Sequence, residues 1–234
     1  MPQNQLLLIE DDLSFGYILK EYLALKSYQL DWAKTGAEGL KLIQKNHYQL
    51  CILDIMLPDT DGFKIATTIR ADYPDLPFIF LSARGMKVDK LKGYQLGCDD
   101  YITKPIDEEL LLVKIQVILK RTLKPTTTAK ASYPIGQFRF EPNKQRLSLE
   151  EDIFQLSTRE STLLLALVKK QGQLTERKAI LRDIWGSTDE FSRKSMDVFI
   201  SRLRKYLKRD PNVQILNVHG KGFILEVQED EPLV

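Results

Sequence analysis

The chain has 234 residues, is 43% hydrophobic and 28% charged, and carries a formal net charge of +2. That is long enough for two ordinary domains and has the balance of a soluble globular protein. Its apolar stretches fall well short of the ~20 residues a membrane span needs, and its N-terminus lacks the pattern of a secretory signal, so the expected location is the cytoplasm. Cys51 and Cys98 have no metal-ligand spacing and read as reduced thiols, and two histidines, His47 and His219, are too few for a zinc site or a catalytic triad.

The first half alternates between two grammars. Apolar strand-like runs begin near Leu6, Gln29, Leu50, Phe78 and Asp100. Helical periodicity follows each, over about 13–26, 36–46, 62–72, 86–96 and 107–121. Strands alternating with helices predict a five-stranded, doubly wound parallel α/β sheet built from βαβ units. Residues 122–133, rich in Thr, Lys, Ala and Ser, have no hydrophobic period and read as a linker between domains 1–121 and 134–228.

The second half changes character. Segments 138–140, 146–149 and 153–156 alternate as antiparallel strands do, with a turn at Pro142-Asn143. Ser157 and Glu160 stand at capping-box spacing before a helix over 159–171, closed by Gly172. A second helix is expected from Thr175 to Trp185 and a third over about 193–208. Strands Val213–Val218 and Gly222–Val227 flank a turn at His219-Gly220-Lys221. Three helices followed by a hairpin is the order of an α+β winged-helix domain.

Charge divides with the domains. Residues 1–122 hold 15 basic and 17 acidic side chains, residues 123–234 hold 19 and 15. Within 193–209 there are seven basic residues and one acid, Asp197. A basic run on one element of a basic domain points to nucleic acid. In the third helix Met196, Ile200, Leu203 and Leu207 form a core stripe, which leaves Lys194, Val198, Ser201, Arg202 and Lys205 on the opposite side. That face suits the major groove, where Arg reads guanine and Lys holds phosphate.

Chemistry in the first half gathers at strand ends. The apolar runs deliver Glu10-Asp11-Asp12, Asp54, Ser82 and Lys104 in turn. In an open parallel sheet the C-terminal strand ends share the ligand-binding edge. Acidic groups, a hydroxyl and a lysine meeting there suit a divalent metal and a phosphoryl group on Asp54. Asp12 reads as a helix N-cap.

The spans IEDD, LDIMLPDTDG, FLSAR, GCDDYITKP, RKSMDVFISRLRKYL and VHGKGF, in this order and spacing, resemble the two-component response regulators of the OmpR/PhoB family. The resemblance covers nearly the whole chain. It implies a flavodoxin-like receiver joined to a winged-helix DNA-binding domain. It makes Asp54 the acceptor of a phosphoryl group from a sensor histidine kinase. Asp11, Asp54 and the Met56 backbone carbonyl become ligands of Mg²⁺, with Glu10 acting through water. Lys104, followed by a cis Pro105, balances phosphoryl charge. Ser82 and Tyr101 become the switch pair, Ser82 moving to the phosphoryl group and Tyr101 turning inward. Homodimers would form through the fourth helix, fifth strand and fifth helix, where Lys87, Lys90, Asp99, Asp100, Glu109 and Lys114 are available. Leu110 departs from a glutamate common in the family. The dimer would occupy repeated DNA half-sites, and RNA polymerase is a further partner the family allows.

The same resemblance places Phe199, Arg204, Asn217, His219 and Lys221 beside the groove-facing residues as DNA contacts, the last three from the wing. Phe199, Ser201 and His219 depart from common family residues. Phe199 either touches a thymine methyl or packs against the preceding loop. Two other functions fit less well. A DNA-binding regulator independent of phosphorylation would not need the full set Asp11, Asp54, Ser82 and Lys104. An aspartyl-phosphate hydrolase would carry an acid two residues after the nucleophile, where Met56 stands, so no turnover activity is expected.

Overall fold

A computed structural model describes residues 4–123 and 132–228 and divides the chain into two compact units between Lys124 and Pro125. The first unit runs β1 (Asn4–Ile9), α1 (Leu13–Leu25), β2 (Tyr28–Ala33), α2 (Gly36–Lys45), β3 (Leu50–Leu53), α3 (Gly62–Asp72), β4 (Phe78–Ser82), α4 (Lys87–Gln95), β5 (Asp100–Thr103) and α5 (Glu108–Leu123). The five strands form one parallel sheet in the order β2-β1-β3-β4-β5. β1, β3 and β4 are apolar on both faces because helices cover both faces. Leu6, Leu8, Leu50, Ile52, Ile79 and Leu81 pack with Leu19 and Leu23 of α1 and Leu111 and Ile115 of α5. Residues of the other parity are buried too, among them Ile9, Phe78 and Phe80. Phe63 of α3 meets Phe80 edge-on at 5.2 Å.

In this unit the expected helix ends hold to within about two residues. The difference that matters is α5, which runs to Leu123, two residues into the expected linker. Residues 124–131 of that linker lie outside the described residues, and its last residue, Tyr133, opens a strand.

The second unit begins with β6 (Tyr133–Ile135), β7 (Phe138–Glu141), β8 (Arg146–Leu149) and β9 (Asp152–Gln155), an antiparallel sheet in chain order. Next come α6 (Thr158–Val168), β10 (Thr175–Glu176), α7 (Arg177–Ile180) continued by a wide π-type turn to Trp185, and α8 (Glu190–Leu207). The hairpin β11 (Val213–Val218) and β12 (Gly222–Val227) closes the domain, with β10 pairing on β12. Ser157 caps α6 and Glu160 answers it, the capping box expected from their spacing. Thr175 differs from expectation. It pairs with Phe223 in the sheet instead of starting a helix. One core joins Phe138, Phe140, Leu147, Leu163, Leu164, Leu167, Met196, Ile200, Leu203, Leu207 and Phe223. The architecture is a winged helix with an N-terminal sheet.

An ion-pair cluster ties β7 to β8. Glu141 is buried and accepts from Lys144 Nζ and Arg146 Nε, each at 2.9 Å. Lys144, then Arg146, hold its carboxyl at about 2, well below its usual 4.5. A depressed carboxylate contributes stability that is present above its unfolded pKa and is lost as pH falls through the folded one. Acid unfolding of this domain should therefore steepen between pH about 4.5 and about 2. Glu141→Gln should remove that component, read as a flatter pH dependence of the thermal midpoint over the same window. An unchanged profile would show that the cluster contributes nothing.

Candidate functional site

The C-terminal ends of β1, β3 and β5 converge as their positions predict. Lys104 Nζ donates to both carboxylate oxygens of Glu10, at 2.7 and 2.6 Å, and to Asp54 Oδ2 at 2.7 Å. Asp54 Oδ1 accepts from the backbone N–H of Ile55 and of Met56. The Lys104–Pro105 peptide is cis. Gly62 opens α3 against this strand end: a Cβ there would lie 2.2 Å from the Asp54 carbonyl oxygen, so only glycine allows the helix this close.

Burial sets the electrostatics. Burial raises Glu10 to about 7, against the opposing effect of Lys104. Burial pulls the Lys104 ammonium down, but hydrogen bonds to Asp54 and Glu10 outweigh it and leave it above its usual value. Lys104 pairs with Glu10 and Asp54, and one oxygen from each of Glu10, Asp11 and Asp54 lies within 4.8 Å of the others. Such a set of hard oxygen ligands with excess negative charge fits a hard divalent cation. Met56, whose carbonyl is the third expected direct ligand, lines a surface pocket together with Asp11 and Arg84. The Asp12 carboxylate caps α1, accepting from Ser14 N and Phe15 N, while its backbone N–H donates to Glu10 Oε1.

Ser82 is fully buried at the end of β4. Tyr101 departs from the expected sequence of events. Its ring is already inside, 6% exposed, packed 5.6 Å from Phe80 and donating to the Arg84 carbonyl at 2.7 Å. Asp99 also differs. It is buried and accepts from Phe78 N, so it belongs to the sheet end and not to an open surface. Asp100 pairs with Lys114 of its own chain at 2.6 Å.

In the second unit, α8 presents Lys194, Val198, Ser201 and Lys205 on the side away from its core stripe. Asn217, His219 and Lys221 are exposed around the turn between β11 and β12. Three expected contacts are repositioned. Phe199 is 0% exposed and stacks edge-on against Trp185 at 5.9 Å, so it is core and offers no surface to a base. Phe199 sits three residues after Met196 and four before Leu203, spacing that extends the core stripe and could have placed it there. Arg202 reaches the buried Glu160 at 3.4 Å. Arg204 donates through Nε and Nη2 to the Ile215 carbonyl, pinning α8 to β11. Asp197 is paired with Arg177 at 2.8 Å. Long-range ion pairs of this kind leave no trace in local sequence.

The profile described as "Response regulator receiver domain" matches residues 6–116, and that described as "Transcriptional regulatory protein, C terminal" matches residues 150–225. The transcriptional regulatory protein RprY of Bacteroides fragilis is 40% identical over 227 residues, 97% of this chain and 96% of that protein. The chain belongs to the OmpR/PhoB family of response regulators. The structure of DrrB, a Thermotoga maritima OmpR/PhoB homologue, is 26% identical, with a TM-score of 0.50 over 95% of this chain and 98% of that one. A RitR mutant structure shares the fold, with a TM-score of 0.78 over 96% of this chain and 100% of that one at 23% identity.

As a response regulator with a receiver and a DNA-binding domain, the protein is a phosphorylation-dependent transcription regulator whose partners are a sensor kinase and DNA. Receiver domains bind Mg²⁺ at an acidic site, and Glu10, Asp11 and Asp54 form such a cluster here. Among the described residues no helix is long and apolar enough to cross a membrane.

Proposed function

We propose that Asp54 accepts a phosphoryl group from the phosphohistidine of a sensor kinase. The observation that carries this is Lys104 Nζ held between Asp54 and Glu10 at the mouth of three strands. An Asp54 carboxylate oxygen attacks phosphorus, the phosphorus–nitrogen bond breaks, and the imidazole leaves with the bonding electrons. Lys104 then faces the new phosphoryl oxygens, and Ser82 supplies a hydroxyl to them. Glu10, Asp11, Asp54 and the Met56 carbonyl are the groups that would hold Mg²⁺, which neutralises charge on the transferring oxygens when bound.

Phosphorylation then favours a receiver dimer. Leu110, Val113 and Val117 fall at i, i+3, i+7 on α5 and are 51%, 53% and 38% exposed. Met86 and Val88, just before and within α4, are exposed as well. An apolar patch of this kind is what an interface covers. Leu110 thus exchanges a charge pair for apolar contact. Paired receivers would place two α8 helices on repeated half-sites, with Lys194, Val198, Ser201 and Lys205 toward the groove and Asn217, His219 and Lys221 on the backbone. Arg202 stands at the edge of this face.

Val113→Asp tests the interface without touching the phosphoacceptor pocket. Full-length wild type treated with a phosphodonor should shift toward a dimer in light scattering and bind paired half-sites more tightly than single ones. Val113→Asp should label normally, stay monomeric and lose the preference for pairs. A labelled variant that dimerises as wild type does would remove this surface from the account.

A second reading, DNA binding independent of phosphorylation, draws on Tyr101. Its ring already occupies the inward position expected only after phosphorylation. Paired half-site affinity equal in phosphorylated and unphosphorylated wild type would favour it.

A further inference from the structure

Trp32 lies in β2 and carries no charge or nucleophile, so nothing in the chemistry of the pocket points to it. Its indole Nε1–H donates to the backbone carbonyl of Glu10 at 2.8 Å. The backbone N–H of Glu10 donates in turn to the Ala33 carbonyl at 3.0 Å. Residue 10 is therefore held at both backbone polar groups by the end of β2. The indole is itself seated on α1. A Cβ at Gly16 would lie 2.3 Å from Trp32 Cζ2 and 2.4 Å from Cε2, so glycine is what admits the ring. Lys34 Nζ, just past the end of this strand, stands 5.5 Å from the ring centre.

The other end of the loop is fixed separately. Asp12 Oδ1 accepts from Ser14 N and Phe15 N and anchors the start of α1. Asp11 lies between the two anchors. It is exposed, so packing does not hold its side chain, yet its carboxylate is within 4.8 Å of Glu10 and Asp54. What fixes Asp11 is the backbone on either side of it. Ordinary packing of an aromatic on glycine accounts for the ring's seat. It does not account for an indole donor aimed at the carbonyl of the residue before Asp11.

We infer that Trp32 is the positioning residue of the acidic loop: its indole N–H, seated on Gly16, fixes the Glu10 carbonyl and holds Asp11 in reach of Asp54 for a divalent cation. The inference rests on the pocket reading proposed above. Partners that orient a metal's ligands typically change its affinity by tenfold or more when removed. They act on the binding of the ion and leave the reacting groups in place.

The test uses the full-length chain and Mg²⁺ alone, followed by calorimetry, with phosphodonor labelling measured across Mg²⁺ concentrations. Trp32→Phe keeps an aromatic ring on Gly16 and removes only the donor. It should weaken Mg²⁺ binding about tenfold and shift the labelling curve to higher Mg²⁺ by the same factor. Labelling at saturating Mg²⁺ should stay within about twofold of wild type. Gly16→Ala displaces the indole from the opposite side and should weaken Mg²⁺ in the same direction, while Trp185→Phe in the other domain should not. Thermal midpoints of the variants identify any that have lost the fold. Unchanged Mg²⁺ affinity in a folded Trp32→Phe overturns the inference alone. So does a loss of labelling that saturating Mg²⁺ fails to restore. A wild type with no Mg²⁺ affinity overturns the pocket reading, and the inference with it.

Discussion

Asp54→Asn should abolish labelling by a phosphodonor, from one phosphoryl group per chain to none, while the thermal midpoint stays at or above that of wild type. Asparagine keeps the shape of the side chain and its acceptor oxygen toward Ile55 N and Met56 N, but loses the nucleophile. Asp54 is 5% exposed and shares Lys104 with Glu10. Removing its charge relieves repulsion on Glu10, one of the effects that holds that carboxyl up. The bond from Lys104 to Asp54 is lost, but Glu10 still accepts from Lys104 through both oxygens, so the lysine keeps a partner. Asp11→Ala should behave differently. It leaves the nucleophile and removes one of the three gathered carboxylates, so labelling slows and added Mg²⁺ restores part of it. Label on Asp54→Asn at the wild-type level would place the phosphoryl group elsewhere and remove Asp54 from its role.

Much of this pocket could be read from sequence for a physical reason. In a parallel sheet, the residue that ends an apolar run is also the residue at the ligand-binding edge. Glu10, Asp54, Ser82 and Lys104 each end such a run, so their convergence follows from strand direction alone. What sequence did not show was the state of the switch. Tyr101 sits inside because Gly93 of α4 and Phe80 of β4 leave room for its ring, and no local pattern records that space. Trp32 leaves no local sequence signal for a related reason: its donor acts on a backbone carbonyl 22 residues away.

The winged-helix domain shows the same limit. Thr175 ahead of a helical pattern looks like a cap, but β10 forms only because Phe223 offers it a partner. Tyr133–Ile135 vanishes into a Thr- and Lys-rich stretch, since a three-residue strand carrying Pro134 has too little pattern to declare itself. Proline fits there because β6 is an edge strand. On α8 the stripe Met196, Ile200, Leu203 and Leu207 marks the buried side, and that side also includes Phe199. A core-facing stripe on a globular helix is wide enough to take in Phe199 as well.

Phe199 therefore yields the second large effect. Phe199→Ala should destabilise the DNA-binding domain by about 3–5 kcal/mol, the range for deleting a fully buried phenylalanine. The ring contacts Trp185, and the guanidinium of Arg159 lies 5.8 Å from its centre, so the cavity opens between α8 and the end of the preceding helix. DNA affinity should fall on every sequence alike, in step with the folded fraction, and recover on cooling. Lys205→Ala is the control on the groove side of the same helix. It should leave stability within about 0.5 kcal/mol of wild type. Its loss of affinity should be similar on all sequences and should reduce the salt slope by roughly one unit, as expected for a phosphate contact. Denaturant melts monitored by Trp185 emission, together with binding titrations at several salt concentrations, separate the two. A Phe199→Ala domain as stable as wild type, with relaxed preference at one base position, would return Phe199 to the groove and make its burial here the wrong description of the DNA-bound helix.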